Sequence, residues 1–260
     1  MKSFFPILIA LFLAGNLFAA DIATDFSAAN KLYAQGKFAE AAKTYESILQ
    51  TGAQSSALLF NCANAEFKSG NLGKAIAAYR QAARLSPRDA EIRANLAFVR
   101  NQVQGSTVRE SRWQNWLGQL SLNEWAALVA ILFWLTFILL AARQLRPTLQ
   151  NKLRGLTLIV AAITILSGAA LGLQAANHFS NQTAVVIVAS VTARSGPFDD
   201  AQNAFTTHDG AELSVLDIRG DWAQVADGSG KTGWLHGKQG GDFARRVMEN
   251  SLNAVKNFLS

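Results

Sequence analysis

Cysteine is almost absent from this sequence: Cys62 stands alone, so no disulfide can form within the chain. Histidine is scarce as well. His178, His208 and His236 fall in three separate contexts without the spacing of a metal site. No Gly-rich phosphate loop and no Gly-x-Ser-x-Gly elbow occurs. These gaps leave no catalytic residue, metal ligand or cofactor to name, and a chain that is not an enzyme is the expectation. Charge is thin too. Only 16% of the 260 residues are charged while 50% are hydrophobic, an excess that must be concentrated somewhere. It lies in three places, one at the N-terminus and two in the middle. The formal net charge of +6 has no nucleic-acid motif beside it, and several of the Lys and Arg residues flank apolar spans, which favours a membrane over nucleic acid.

Residues 1–20 read as a signal peptide. Lys2 precedes the apolar run Phe4–Leu13, and a small-residue exit follows near Ala19–Ala20. Leu17 or Phe18 falls three residues before the cut, which keeps an uncleaved anchor open as the alternative. Two longer apolar segments, 122–142 and 156–176, match the length of a membrane crossing. Ser121 and Glu124 are spaced as a capping box at the start of the first. The connector 143–155 carries Arg143, Arg146, Lys152 and Arg154 and no acid, so the positive-inside rule puts it in the cytoplasm and both flanks outside. Trp113, Trp116 and Trp125 suit an interfacial belt at the outer face. Gly168 and Gly172 form a GxxxG spacing, expected to pack closely against Ala126 and Ala130. A partner's membrane helix is the other use for that face.

Before the spans the sequence repeats itself. Gly36, Ala41 and Tyr45 recur as Gly70, Ala75 and Tyr79, an offset of 34, and Pro87 closes the second unit. The segment resembles the tetratricopeptide (TPR) family, whose period this is. A TPR domain is expected over 22–104, with repeats at about 22–55 and 56–89, a capping helix at 90–103, and an amphipathic linker over 105–121. Phe26, Asn30 and Tyr33 recur at the same offset as Phe60, Asn64 and Phe67, one face of each first helix. In a TPR superhelix that face lines the partner-binding groove, with asparagines for a peptide backbone and aromatics for its side chains. Packing between repeats is the alternative use of the aromatics. Asn61 and Asn95 also repeat, as expected structural hydrogen bonders.

After the spans the pattern turns to short β-rich runs, with Ala184–Val188, Leu213–Leu216 and Trp222–Val225 as strands and turns at 208–210, 219–221 and 227–230. Residues 183–240 resemble a bacterial SH3 (SH3b) domain, with Trp222, Gly233 and Trp234 at its recurrent positions. The tail 242–260 reads as a C-terminal helix, with Phe243, Val247, Leu252 and Val255 on roughly one face.

The expected fold class is therefore a multi-domain membrane protein. It combines an all-α TPR solenoid, a two-helix transmembrane hairpin and a small all-β SH3-like barrel. This order resembles BatE-type proteins of the Bat aerotolerance operon. That resemblance implies a scaffold in the inner (cytoplasmic) membrane, with its TPR and SH3b parts extracytoplasmic. Its implied partners are von Willebrand A-domain Bat proteins and a MoxR-type ATPase complex. The alternative is a wall anchor that binds peptidoglycan through the SH3b domain.

Overall fold

The computed structural model describes residues 22–103, 112–180 and 183–237, with the backbone alone for 178–180. The expected signal peptide, the start of the linker and the tail over 242–260 lie outside the described residues.

Among the described residues five helices come first: α1 over 22–34, α2 Phe38–Gln50, α3 Ser56–Lys68, α4 Leu72–Leu85 and α5 Ala90–Arg100. Their ends are written locally. The Ser55 hydroxyl accepts from the Leu58 N–H, and the Asp89 carboxylate accepts from the Glu91 and Ile92 N–H groups. Gly36 and Gly70 sit at φ of 77° and 85°, where a side chain would be strained. The next N–H then reaches back five residues, Lys37 to Leu32 and Asn71 to Glu66, closing the same helix stop twice. Ala41 and Ala75 have no exposed surface, which lets neighbouring helices approach closely, while Tyr45 and Tyr79 fill the space beside them. Pro87 follows the end of α4 and cannot continue it.

A short helix, α6 Arg112–Leu117, leads to α7 Leu122–Leu145. The capping box at Ser121 and Glu124 forms as the spacing predicts. Trp125 Nε1 donates to the Leu117 carbonyl at 3.0 Å, pinning α6 to the start of α7. A 3₁₀ turn, Pro147–Leu149, reverses the chain into α8 Gln150–Ser180. Both long helices are apolar enough to cross a membrane.

The contact between them does not run through the expected glycines. A Cβ added at Gly168 or Gly172 would meet nothing within 4 Å. The buried row on α8 is instead Thr157, Val160 and Ser167, with Thr164 hydroxyl 3.1 Å from Thr136 of α7. These hydroxyls also donate to carbonyls one turn back in their own helices, so each polar group is satisfied among apolar neighbours. Short hydroxyl residues therefore supply the close approach expected of the GxxxG face.

Six strands follow: β1 Thr183–Val185, β2 Ser190–Arg194, β3 Asn203–His208, β4 Glu212–Arg219, β5 Trp222–Ala226 and β6 Thr232–His236. They form one antiparallel sheet in the order β1-β4-β5-β6-β2-β3. Among the described residues β1 and β3 are unpaired edges, so the expected barrel is not closed. Only the first part of the expected strand Ala184–Val188 is strand, because the chain leaves β1 after Val185. The sheet curls over Val191, Ala193, Leu213, Ala223, Val225 and Leu235.

Candidate functional site

The inner face of α1 and α3 carries the six residues expected to line a groove. Phe26 meets Tyr45 at 5.8 Å between ring centroids, and Phe60 meets Tyr79 at the same separation. The two contacts are one repeated packing interaction, so these phenylalanines serve the fold at least in part. Tyr33 lies edge-on to Phe38 at 5.1 Å, and Phe67 to Phe98 at 5.8 Å. Phe98 is 57% exposed and escaped the sequence reading. Its signal was available: it lies at the same offset of 34 from Asn64 as Asn64 does from Asn30, where the amide series stops.

The asparagines are already engaged. Asn30 Oδ1 accepts from the Tyr45 hydroxyl at 2.6 Å and from Asn61 Nδ2 at 3.2 Å. Asn64 Oδ1 accepts from the Tyr79 hydroxyl. Both bonds use the carbonyl oxygen, and an amide has two N–H donors besides. Asn30 is exposed and Asn64 half-buried. The amide–tyrosine pairs thus orient the inner face while sitting at its surface. Burial first, then neighbouring groups that favour the neutral phenol, pushes Tyr45 and Tyr79 up to about 12.

Behind this face lies a small ionic cluster. Glu66 is buried, receives Asn71 Nδ2 at 2.6 Å, and shares Lys74 with Glu46 at 3.3 and 3.0 Å. Burial raises the Glu66 carboxyl above its ordinary range despite those donors. Cys62 packs beside it, and burial followed by the Glu66 charge pushes the thiol up to about 12. A thiol so rarely ionised at neutral pH is a poor nucleophile.

A second surface lies on α4 and α5, where the sheet docks. Glu212 has no exposed side-chain surface and is gripped by two guanidinium groups. Arg80 Nη1 reaches Oε2 at 2.6 Å, while Arg100 forks onto both oxygens at 2.6 and 3.0 Å. The Gly73 N–H, in the first turn of α4, donates to the Asp209 carboxylate at 3.2 Å. Val185 of β1 joins the cluster formed by Ala75, Ile76, Tyr79 and Val99. A Cβ on Gly73 would lie 2.0 Å from the Val186 carbonyl oxygen, so only glycine permits this approach. Arg88 also pairs with Glu124, joining the helical repeats to the start of α7.

With this geometry in place, comparison with known families is decisive for one segment. A family model described as TPR repeat matches residues 63–102, spanning the C-terminal part of α3 with α4 and α5. This segment is a TPR repeat. No curated protein matches the chain. TPR repeats are as a rule protein-interaction modules without catalysis, which supports an adaptor role.

The residues expected at recurrent SH3b positions lie apart from the Asn30–Asn64 face of α1 and α3. Trp234 is buried, with the Arg219 guanidinium 5.3 Å from its ring centre, and Trp222 stands edge-on to His236 at 4.8 Å. A Cβ on Gly233 would come within 2.8 Å of the Ala193 Cβ. All three build the sheet rather than a cavity. Among the described residues no group of His, Cys, Asp and Glu is placed to hold a metal.

Proposed function

We propose that this chain is a non-enzymatic, membrane-anchored adaptor whose TPR groove holds a partner protein outside the cytoplasm. The observation that carries it is the contact between α4–α5 and the sheet. Gly73, Arg80 and Arg100 touch Asp209 and Glu212, although α7 and α8 separate them in the chain. Segments in contact lie on one side of a membrane, and two crossings return a chain to the side it left. Helices of 24 and 31 residues, at about 1.5 Å per residue, reach the roughly 30 Å of a hydrocarbon core. The basic turn at Arg143–Arg154 then faces the cytoplasm, and Trp113, Trp116 and Trp125 lie at the outer interface. The sheet covers α4, while the Asn30–Asn64 face on α1 and α3 is open to a ligand.

The order of TPR repeats, paired apolar helices and a β-sheet module supports a BatE-type role. In that role the partners are von Willebrand A-domain membrane proteins and a MoxR-type ATPase in a stress-related envelope complex. Single cysteines introduced by Gln35→Cys, Gln150→Cys and Gly228→Cys, each in a Cys62→Ser background, test the topology. Impermeant maleimide is expected to label positions 35 and 228 in intact cells and to spare 150; the reverse pattern overturns the proposal. Recovery of the partner from solubilised membranes tests the adaptor role. Co-sedimentation with isolated cell wall and no protein partner would favour wall anchoring instead.

A further inference from the structure

We propose that the turn between α7 and α8 binds the phosphate of an anionic phospholipid. This inference rests on the membrane reading just given. Four cations, Arg143, Arg146, Lys152 and Arg154, lie within this short stretch, and the nearest acids in the sequence are Glu124 and Asp199. None of the four makes an ion pair among the described residues. The positive-inside rule accounts for the side of the membrane they occupy. It does not account for their places on the helix.

Arg146 is the N-cap of the 3₁₀ turn that runs into α8, and its side chain makes no capping bond. Lys152 and Arg154 follow at the start of α8, and no acid occupies that first turn. Helix starts carry about +0.5 of an elementary charge and favour Asp, Asn, Ser or Thr as caps. Arg146 and Lys152 therefore sit where the helix end disfavours a cation, with Arg154 in the next turn. From the last turn of α7, Arg143 adds a fourth charge, and its Nε is buried without an acceptor. A group with several anionic oxygens suits a guanidinium fork, an ammonium and a helix start alike.

The apolar surroundings select a lipid over a free phosphate. Leu145, between Arg143 and Arg146, is 80% exposed, and Leu156, just past Arg154, is 49% exposed. A phosphodiester carrying acyl chains satisfies both the charged and the apolar surface; a free phosphate satisfies only the first.

The test uses the full-length protein in neutral detergent. Phosphatidylglycerol, phosphatidylcholine and inorganic phosphate are titrated separately, with bound lipid read by native mass spectrometry. Retention of phosphatidylglycerol over phosphatidylcholine is expected, with no competition from inorganic phosphate at the same concentration. Each cation removed should weaken phosphatidylglycerol binding about fivefold, so R143Q/K152Q should lose about twenty-five-fold. K31Q/K43Q, on the exposed surface of the solenoid, should lose nothing. Arg143→Lys keeps the charge that sets topology but removes the fork, and is expected to weaken binding by itself. Equal retention of both lipids, displacement by inorganic phosphate, or unchanged binding in R143Q/K152Q overturns the proposal. Alkaline carbonate separates the two readings. If the chain is washed from membranes, the membrane reading fails. If it stays embedded but shows no lipid preference, only the lipid site fails.

Discussion

The first and second helical repeats share Gly36 with Gly70, Ala41 with Ala75 and Tyr45 with Tyr79, and three of the positions at which they differ bear on the sheet. Ala39 corresponds to Gly73, Ala42 to Ile76 and Glu46 to Arg80. All three second-repeat residues meet the sheet module: the Gly73 N–H donates to Asp209, Ile76 packs with Val185, and Arg80 holds Glu212. Their first-repeat counterparts do not, and Glu46 instead pairs with Lys74. The shared positions make a helical hairpin; the divergent ones make a docking face. Repeat divergence here records a contact with a remote part of the chain rather than loss of pattern.

The largest blow to this comparison should come from Glu212→Ala. It leaves Arg80 and Arg100 facing a covered surface with no carboxylate, a loss of about 3–5 kcal/mol for a broken buried pair. Glu46→Ala removes a partner that is 40% exposed and should cost about 0–1 kcal/mol. Hydrogen exchange on the full chain should show α4, α5 and β4 opening together in the first variant alone. Equal protection in both would mean that the sheet is not held by this clamp.

Gly73→Ala comes next. Its Cβ must push back the Val186 carbonyl, at a cost of about 1–3 kcal/mol for overpacking. Ala39→Gly makes the reverse change in the first repeat and should cost about 1 kcal/mol through helix propensity, with no effect on the sheet. A disulfide between cysteines placed at 76 and 185 reports docking directly. It should form readily beside Ala39→Gly and slowly beside Gly73→Ala.

A smaller effect separates ligand contacts from fold contacts on the inner face. Asn30→Ala with Asn64→Ala removes the amide donors and also the acceptors of Tyr45 and Tyr79. Tyr45→Phe with Tyr79→Phe removes only the internal bonds. Each bond contributes about 0.5–1.5 kcal/mol, so both pairs should lower thermal stability by similar amounts. Only the asparagine pair should also weaken partner binding, by roughly one to two powers of ten. Equal partner recovery from both variants would remove the groove from the binding account.

The smallest effect is seen only in alkali. The unfolded chain ionises its phenols near 10, whereas folded Tyr45 and Tyr79 hold their protons to about 12. Between those values the unfolded state binds fewer protons, so stability falls as pH rises. In a Cys62→Ser chain, which removes the raised thiol, melting should be flat from pH 7 to 9 and decline above 10. The double phenylalanine variant should decline less.

Much of the fold was legible because its signals are local. The recurrence of Gly36 at Gly70 marks a backbone conformation that glycine takes without strain, and Ser121 with Glu124 closes a cap within one turn. The edge strand Asn203–His208 was not legible, since it has no clean alternation and little burial. The hairpin seam was misplaced on Gly168 and Gly172 because spacing reveals small residues but not which face meets the other helix. Glu212 was missed for a plainer reason. A lone acid in a strand looks solvated until its arginines, more than a hundred residues away, are brought to it.

That separation also has a meaning in time. Arg100 and Glu212 are 112 residues apart, and at about 5–20 residues per second a ribosome needs on the order of ten seconds to cover the gap. Throughout that interval the newly made repeats present Gly73, Ile76 and Arg80 uncovered. The first visitor to this face is therefore whatever meets the growing chain, and the sheet arrives last.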